Sequence, residues 1–137
     1  MKLCSACLLG IRCRYDGASK PDPKVINMAK LDALVPICPE QLGGLPTPRR
    51  PNEIRSKKVV TDLEDDVTHQ FNRGAEECLN IAKSLGITEA IMKQNSPSCG
   101  CGKIHDGTFS GRIIKGDGIT TALLKKNGIN VITEEDL

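Results

Sequence analysis

Aromatic side chains are almost absent from this sequence. They make up 2% of its 137 residues, with one tyrosine, two phenylalanines and no tryptophan. The core must therefore be built from Leu, Ile, Val and Ala, and recognition of nucleic acid by stacking bases on aromatic rings is disfavoured. The net charge is only +2, which by itself does not predict a nucleic-acid or membrane partner.

The chain also lacks any segment that is typical of targeting or membrane anchoring. No apolar run approaches the roughly 18 residues that a transmembrane helix needs, and the sequence does not open with a basic segment followed by a long apolar one. We therefore expect a cytoplasmic protein. A length of 137 residues predicts a single domain over residues 1–137 with one core.

Cysteine, in contrast, is plentiful, with seven residues in the chain. An odd and unevenly spaced set without a signal peptide argues against a disulfide framework and favours metal or redox chemistry. The chain has no second CxxC motif to pair with Cys4-Ser5-Ala6-Cys7, and its only histidines are His69 and His105. Any metal ligands must therefore come from distant segments.

Hydrophobic patterning predicts four strands that alternate with helices. The predicted strands are 2–7, 34–37, 87–92 and 129–133. One helix is predicted to begin at Asp22-Pro23, and the others span 68–85 and 120–126. The Pro- and Gly-rich stretch from Cys38 to Lys58 is expected to be irregular, and a hairpin is expected around 112–114. This order predicts a Rossmann-like, three-layer α/β fold with a mainly parallel sheet and helices on both faces.

Three short apolar segments each run to a cysteine, with Gly or Pro close behind. These cysteines are Cys7, Cys38 and Cys99. The carboxyl ends of parallel strands share one edge of the sheet, where such folds bind their ligands, so we expect the three thiols at a common site. Three thiolates favour a soft metal or an iron–sulfur cluster over magnesium or calcium. Three protein ligands also leave one metal position open, as a Lewis-acid catalyst requires.

Polar side chains border the same predicted site. Glu40 lies two residues after Cys38, and Ser96 lies three residues before Cys99. A glutamate can move protons, and a serine can hydrogen-bond a substrate or hold a water. Cys78 falls on the apolar stripe of the predicted helix 68–85 and is expected in the core. The Pro- and Gly-rich stretch from Cys38 to Lys58 is locally basic. It is either a solvated loop or a lid that attracts anions. Its basic residues are Arg49, Arg50, Arg55, Lys57 and Lys58.

Four motifs resemble the thiouracil desulfurase family, a bacterial and archaeal family also known as domain of unknown function number 523. They are Ser5-Ala6-Cys7-Leu8-Leu9-Gly10, Arg14-Tyr15-Asp16-Gly17, Cys38-Pro39-Glu40 with Gly43-Gly44-Leu45-Pro46-Thr47-Pro48-Arg49, and Ser96-Pro97-Ser98-Cys99-Gly100. The resemblance spans nearly the whole chain. It implies a [4Fe-4S] cluster held by Cys7, Cys38 and Cys99, whose remaining iron binds the sulfur of a thiolated pyrimidine such as 2-thiouracil.

The resemblance also implies roles around that cluster. Glu40 and Ser96 match positions for proton transfer and substrate handling, and Asp16 and Ser98 are candidate substrate-binding residues. An alternative for Asp16 is a structural role in ordering the first loop. Cys101 lies two residues from Cys99 and is the alternative ligand at this turn. The cysteines expected to be structural are Cys4 and Cys13.

Three functions from different classes fit these features. The leading hypothesis is a hydrolytic desulfidase, in which water attacks the activated thiocarbonyl carbon and no external electron is required. The alternatives are a sulfur carrier for RNA thiolation, with the basic loop as docking surface, and a non-catalytic module that senses redox state or metal. A small-molecule partner is expected, without nucleic acid or membrane. In a preparation made in air, zinc or a disulfide is the alternative to the cluster on these thiols.

Overall fold

The computed structural model describes residues 1–137 and contains eight strands and four α-helices. In chain order they are β1 (Lys2–Ser5), α1 (Pro23–Ala29), β2 (Leu34–Ile37), α2 (Pro39–Leu42), β3 (Asn52–Arg55), β4 (Lys58–Thr61), α3 (Thr68–Leu85), β5 (Glu89–Met92), β6 (Lys103–His105), β7 (Ile113–Lys115), α4 (Ile119–Lys126) and β8 (Asn130–Thr133). Short 3-10 helices span Ala6–Leu9 and Glu134–Asp136. No helix has the length and apolar character needed to cross a membrane.

The central sheet contains β2, β1, β5 and β8 in that spatial order, and every neighbouring pair is parallel. On one face, Leu3 and Ala90 pack with Cys78 of α3, and α4 packs beside them. On the other face, Cys4 packs with Val25 of α1. The predicted α/β fold, with a parallel sheet and helices on both faces, is therefore confirmed.

Local signals explain where the helices begin and end. Asp22 caps α1 by accepting hydrogen bonds from two backbone N–H groups of its first turn, at 2.9 and 3.1 Å. Pro23 occupies the first helical position, where its missing N–H costs nothing. Helix α3 ends at Leu85 because Gly86 adopts the left-handed conformation, with φ of 68°.

The first strand is shorter than predicted. It ends at Ser5 instead of continuing to residue 7, and the chain turns directly into the 3-10 helix Ala6–Leu9. Gly10, with φ of 94°, closes that turn by donating its N–H to the carbonyls of Ala6 and Cys7. Cys7 therefore lies in a tight turn beyond the strand.

The prediction that residues 38–58 lack regular structure is wrong. The stretch contains α2, in which Pro39 takes the first helical position, and β3, which pairs antiparallel with β4. The connecting residues Ser56 and Lys57 have φ of 50° and 67°, as a two-residue hairpin turn requires. Pro39 is compatible with α2 because it stands at the first helical position, where its missing N–H is not needed. The hairpin β6–β7 matches the one predicted around 112–114.

Helix α2 crosses α3 at a point where neither backbone leaves room for a side chain. A Cβ atom on Gly74 would overlap the carbonyl oxygen of Pro39, and one on Gly43 would overlap the carbonyl oxygen of Gln70. Glycine is therefore required at both positions by close backbone approach. Because Glu40 belongs to α2, this crossing holds it at a fixed distance from the core.

The close crossing predicts that Gly74→Ala lowers the free energy of unfolding by about 2 kcal/mol or more, because the two helices must separate to admit a methyl group. A glycine-to-alanine change inside a helix ordinarily stabilises it by about 1 kcal/mol, so the sign of the effect is diagnostic. Urea denaturation measures it. Asn80→Ala, on the exposed face of α3, is the control and should be neutral or slightly stabilising. A stabilising Gly74→Ala would contradict the crossing described here.

Candidate metal centre and active site

A cavity of about 680 Å³ opens at the carboxyl edge of the central sheet. All three cysteines predicted as ligands line it: Cys7, Cys38 and Cys99. They follow β1, β2 and β5, and β1 lies between the other two strands, so the three segments leave the sheet side by side. The volume is in the usual range for small-molecule sites.

Two of the predicted ligand thiols have raised pKa values in the free protein. Burial raises the pKa of Cys99 to about 11, although hydrogen bonds with Ser5 and Ser98 act in the opposite direction. The pKa of Cys38 is also raised, first by the neighbouring Cys13 thiol and then by burial. All seven cysteines are free thiols. Because thiolates are the metal-binding form, loading a metal here would release protons.

Cys13 lies beside two of the predicted ligands, a position that its sequence context did not indicate. Its thiol is close enough to the thiols of Cys38 and Cys7 to influence their titration and its own. The Cys38 thiol also contacts the Cys13 carbonyl oxygen, at 3.7 Å. The Cys38 thiol lowers the pKa of Cys13, but the Cys7 thiol and burial outweigh it, and the pKa rises to about 11. Cys13 therefore adds a fourth thiol to the cavity wall, beside the predicted ligands Cys7 and Cys38.

The donor set fits an iron–sulfur cluster better than a single ion. Thiolates that share one ion lie within about 4 Å of each other, since metal–sulfur bonds are about 2.3 Å long. No three His, Cys, Asp or Glu side chains of the protein are grouped in a way that could hold one metal ion. In a [4Fe-4S] cluster the cysteines bind different irons, so their sulfurs are spread around a larger body. Three thiols arranged around one cavity match that requirement.

The turn that carries Cys99 is fixed from both sides. Gln94 holds the backbone of Cys101, accepting from its N–H at 2.8 Å and donating to its carbonyl at 2.9 Å. Thr121, in α4, donates its hydroxyl to the Cys99 carbonyl at 2.7 Å. The Cys101 thiol contacts the carbonyl oxygen of Val131, at 3.8 Å, and does not line the cavity. Of the two cysteines at this turn, only Cys99 therefore faces the site.

Glu40, Ser98 and Ser96 form one hydrogen-bonded chain along the cavity wall. Ser98 Oγ donates to Glu40 Oε2 at 2.9 Å and lies 3.0 Å from Ser96 Oγ. Ser98 has a single hydroxyl hydrogen, which it gives to Glu40, so the hydroxyl of Ser96 must be the donor to Ser98. Ser98 Oγ also lies 3.5 Å from the Cys99 sulfur. The chain therefore runs in one direction, from Ser96 to Glu40, beside a predicted ligand.

Arg49 organises this wall, although the sequence pointed to it only as one cation of a basic stretch. Its Nε donates to Glu40 Oε1 at 3.0 Å, and the two side chains are only 6% and 12% exposed. Its Nη2 donates to the Cys13 carbonyl at 2.9 Å, and its Nη1 donates to Pro46 O and Thr47 Oγ1. One guanidinium thus joins the first loop, α2 and the Pro-rich loop. The one sequence feature that could have identified Arg49 is its position at the end of the third motif.

The remaining arginines of the basic stretch are also paired within the chain. Arg50 forms an ion pair with Asp62, and Arg55 forms one with Glu64. Only the two lysines of the stretch have no carboxylate partner. This pairing favours the solvated-loop interpretation over an anion-attracting lid, and it weakens the case for RNA docking on this surface.

Asp16 lies outside the cavity wall. Its carboxylate is exposed and accepts a hydrogen bond from the backbone N–H of Ala18, at 3.0 Å. That contact fits the structural alternative, in which Asp16 orders the first loop. A contact between Asp16 and substrate stays a prediction, whereas Glu40, Ser96 and Ser98 all line the cavity.

Thiols that follow three neighbouring strand ends line one cavity, and such a donor set suits a soft metal or an iron–sulfur cluster. The sequence model of the 2-thiouracil desulfurase family matches residues 3–136. The chain therefore belongs to the 2-thiouracil desulfurase family, as the four sequence motifs indicated.

Two relatives place the chain within that family. The uncharacterized protein YbbK of Bacillus subtilis (strain 168) is 44% identical in an alignment of 147 positions, gaps included. The alignment covers 100% of this chain and 97% of the relative. A solved structure of the [4Fe-4S]-dependent thiouracil desulfidase TudS (DUF523Vcz) matches with a TM-score of 0.94 and 45% identity. That match covers 99% of this chain and 91% of the other.

Arg49→Met is expected to lower the free energy of unfolding by about 3 kcal/mol, because it leaves the buried Glu40 carboxylate without its partner. Adding Glu40→Gln should recover part of the loss, since no unpaired charge then remains. Arg50→Met removes an exposed pair and is the matched control, with a much smaller expected loss. Urea denaturation of the wild type and the three variants measures these differences. Equal losses for Arg49→Met and Arg50→Met would contradict the role assigned to Arg49.

Proposed function

We propose that this protein is a [4Fe-4S]-dependent desulfidase that hydrolyses the thiocarbonyl group of a thiolated pyrimidine such as 2-thiouracil. The observation that carries the proposal is the meeting of three thiols with the Ser96–Ser98–Glu40 chain in one cavity. Membership of the 2-thiouracil desulfurase family and the likeness to a solved thiouracil desulfidase support it.

Cys7, Cys38 and Cys99 would hold the cluster through their thiolates. When bound, the cluster supplies an iron without a protein ligand, which acts as a Lewis acid toward the substrate sulfur. Glu40 stays fixed on the cavity wall by its ion pair with Arg49. The chain thereby contributes three soft ligands and one oriented carboxylate.

The reaction needs proton transfer but no electrons. The substrate C=S group and one water become a C=O group and hydrogen sulfide, so both protons of the water end on sulfur. A water that donates to Ser98 can pass one proton through its hydroxyl to Glu40, because that hydrogen bond already points toward the carboxylate. Ser96 Oγ already accepts from the backbone N–H groups of Ser98 and Cys99, so its role is to orient the Ser98 hydroxyl. Ser98 lies 3.5 Å from the Cys99 sulfur, so it is also placed to return that proton to the departing sulfide.

Ser96→Ala and Glu40→Gln should each reduce sulfide release from 2-thiouracil by about 10² or more, the usual scale for a lost proton-transfer group. Iron content should stay close to that of the wild type, because neither side chain is proposed as a ligand. Anaerobically purified protein, assayed in parallel for iron and sulfide release, measures both. Loss of iron in Ser96→Ala, or full activity without the hydroxyl, would contradict the proposed relay.

Serine at Cys7, Cys38 or Cys99 should remove both the cluster and the activity. Absorbance at about 400 nm measures how much iron–thiolate cluster each variant contains. Cys101→Ser is the matched control at the same turn and should keep both, because its thiol faces β8 instead of the cavity. If Cys101→Ser lost the chromophore while Cys99→Ser retained it, the ligand assignment would be wrong.

A further inference from the structure

Three polar side chains of the cavity wall make no hydrogen bond within the protein. They are Asn52, Asn95 and His105. The side-chain oxygen Oδ1 of each asparagine and the ring nitrogen Nδ1 of the histidine are buried without a hydrogen-bond partner. Asn52 is only 8% exposed. Buried polar atoms without partners are rare in native proteins because their loss of hydration is uncompensated. The fourth such atom, Thr120 Oγ1, belongs to a residue outside the cavity wall.

These three side chains belong to segments that contact each other. Asn95 forms a parallel backbone bridge with Ile104, the residue before His105. Glu53, the neighbour of Asn52, accepts hydrogen bonds from two backbone N–H groups of the loop after β6, at 2.9 and 3.1 Å. Strand β3, the loop after β6 and the turn after β5 therefore join into one continuous wall. We name Asn52, Asn95 and His105 on this wall the amide cluster.

The amide cluster differs in kind from the wall that carries Glu40. There, Glu40 already accepts hydrogen bonds from both Arg49 and Ser98, so these side chains have partners within the protein. Asn52 and Asn95 each retain a complete carboxamide, with one acceptor and two donors. Within this cavity, the amide cluster is therefore the part equipped to bind a neutral ligand that carries donors and acceptors side by side.

We propose that the amide cluster recognises the polar edge of the pyrimidine ring, with Asn52 as its principal residue; this rests on the proposed desulfidase function. In 2-thiouracil, the N3–H donor lies next to the C4 carbonyl acceptor. A carboxamide pairs with both at once, since Oδ1 accepts from the N–H and Nδ2 donates to the carbonyl. The thiocarbonyl group is thereby directed toward the thiols. A ring without the N–H would leave Oδ1 unpaired, and the site would discriminate against it.

Calorimetric binding of uracil to the anaerobically purified holoprotein tests this recognition without turnover. Asn52→Ala should weaken uracil binding about tenfold or more, the scale of a bidentate amide–base contact. Asn72→Ala is the matched control, because Asn72 is an exposed asparagine of α3, and it should leave the affinity unchanged. In kinetics with 2-thiouracil, Asn52→Ala should raise KM by a similar factor and change kcat by less.

A change in the ligand tests the same contact in the unaltered protein. Wild-type protein should bind 3-methyluracil about tenfold more weakly than uracil, and the difference should largely vanish in Asn52→Ala. This coupling also keeps the test decisive if Asn52→Ala folds poorly, since equal binding of the two ligands by wild type would by itself overturn the inference.

The outcomes separate this inference from the proposed function. Sulfide release by wild type, with unchanged KM and unchanged uracil affinity in Asn52→Ala, would overturn the role of the amide cluster and leave the desulfidase intact. Uracil binding that depends on Asn52, without sulfide release by the holoprotein, would support the recognition role and overturn the desulfidase. Failure of the wild-type holoprotein to bind either uracil or 2-thiouracil would overturn both.

Discussion

The buried ion pair between Glu40 and Arg49 is the contact on which the arrangement of the site depends. Burying an ion pair is costly unless further hydrogen bonds satisfy the remaining carboxylate lone pairs and guanidinium protons. Here Ser98 donates to the second carboxylate oxygen, and two backbone carbonyls and a hydroxyl accept from the guanidinium. The pair therefore ties the first loop, the Pro-rich loop and α2 to the turn of Cys99. It also keeps the Glu40 carboxylate oriented toward the serines.

Two further constraints act with this pair. The parallel order of β2, β1 and β5 brings the thiols to one edge of the sheet, and the close approach at Gly43 and Gly74 fixes α2 against α3. The cavity is consequently divided between two chemically distinct walls. One carries the thiols and the proton chain, and the other carries the amide cluster with its unused hydrogen-bonding groups. Such a division would orient a small heterocycle with its sulfur toward the thiols.

Much of the fold could be predicted because its signals are local. The stripe of α3, the cap at Asp22 and the short apolar strands each depend on neighbours a few residues apart. The meeting of Cys7, Cys38 and Cys99 in one cavity followed from one further step, since parallel strands bring their carboxyl ends together. Glu40 and Ser96 were identified because they lie close to those cysteines in sequence.

Features that depend on distant contacts were not predictable in this way. The partner of Arg49 lies nine residues away, across a Pro-rich loop that sequence patterns describe only as irregular. Cys13 contacts Cys38 although the two residues are 25 positions apart in sequence. Asn52 becomes part of the cavity wall only because β3 contacts the loop after β6. Helix α2 was missed because proline is a breaker in most contexts and a helix starter in this one.

The proposed function depends on hydrolysis of a thiocarbonyl group with water as the only other reactant. The most direct test is a single-turnover reaction of the anaerobic holoprotein with 2-thiouracil in ¹⁸O-labelled water, without reductant, followed by mass spectrometry of the pyrimidine product. The account predicts uracil that carries one labelled oxygen at the carbon that held sulfur, with an equal amount of sulfide released. Unlabelled uracil, or a reaction that proceeds only when a reductant or a sulfur acceptor is supplied, would contradict it.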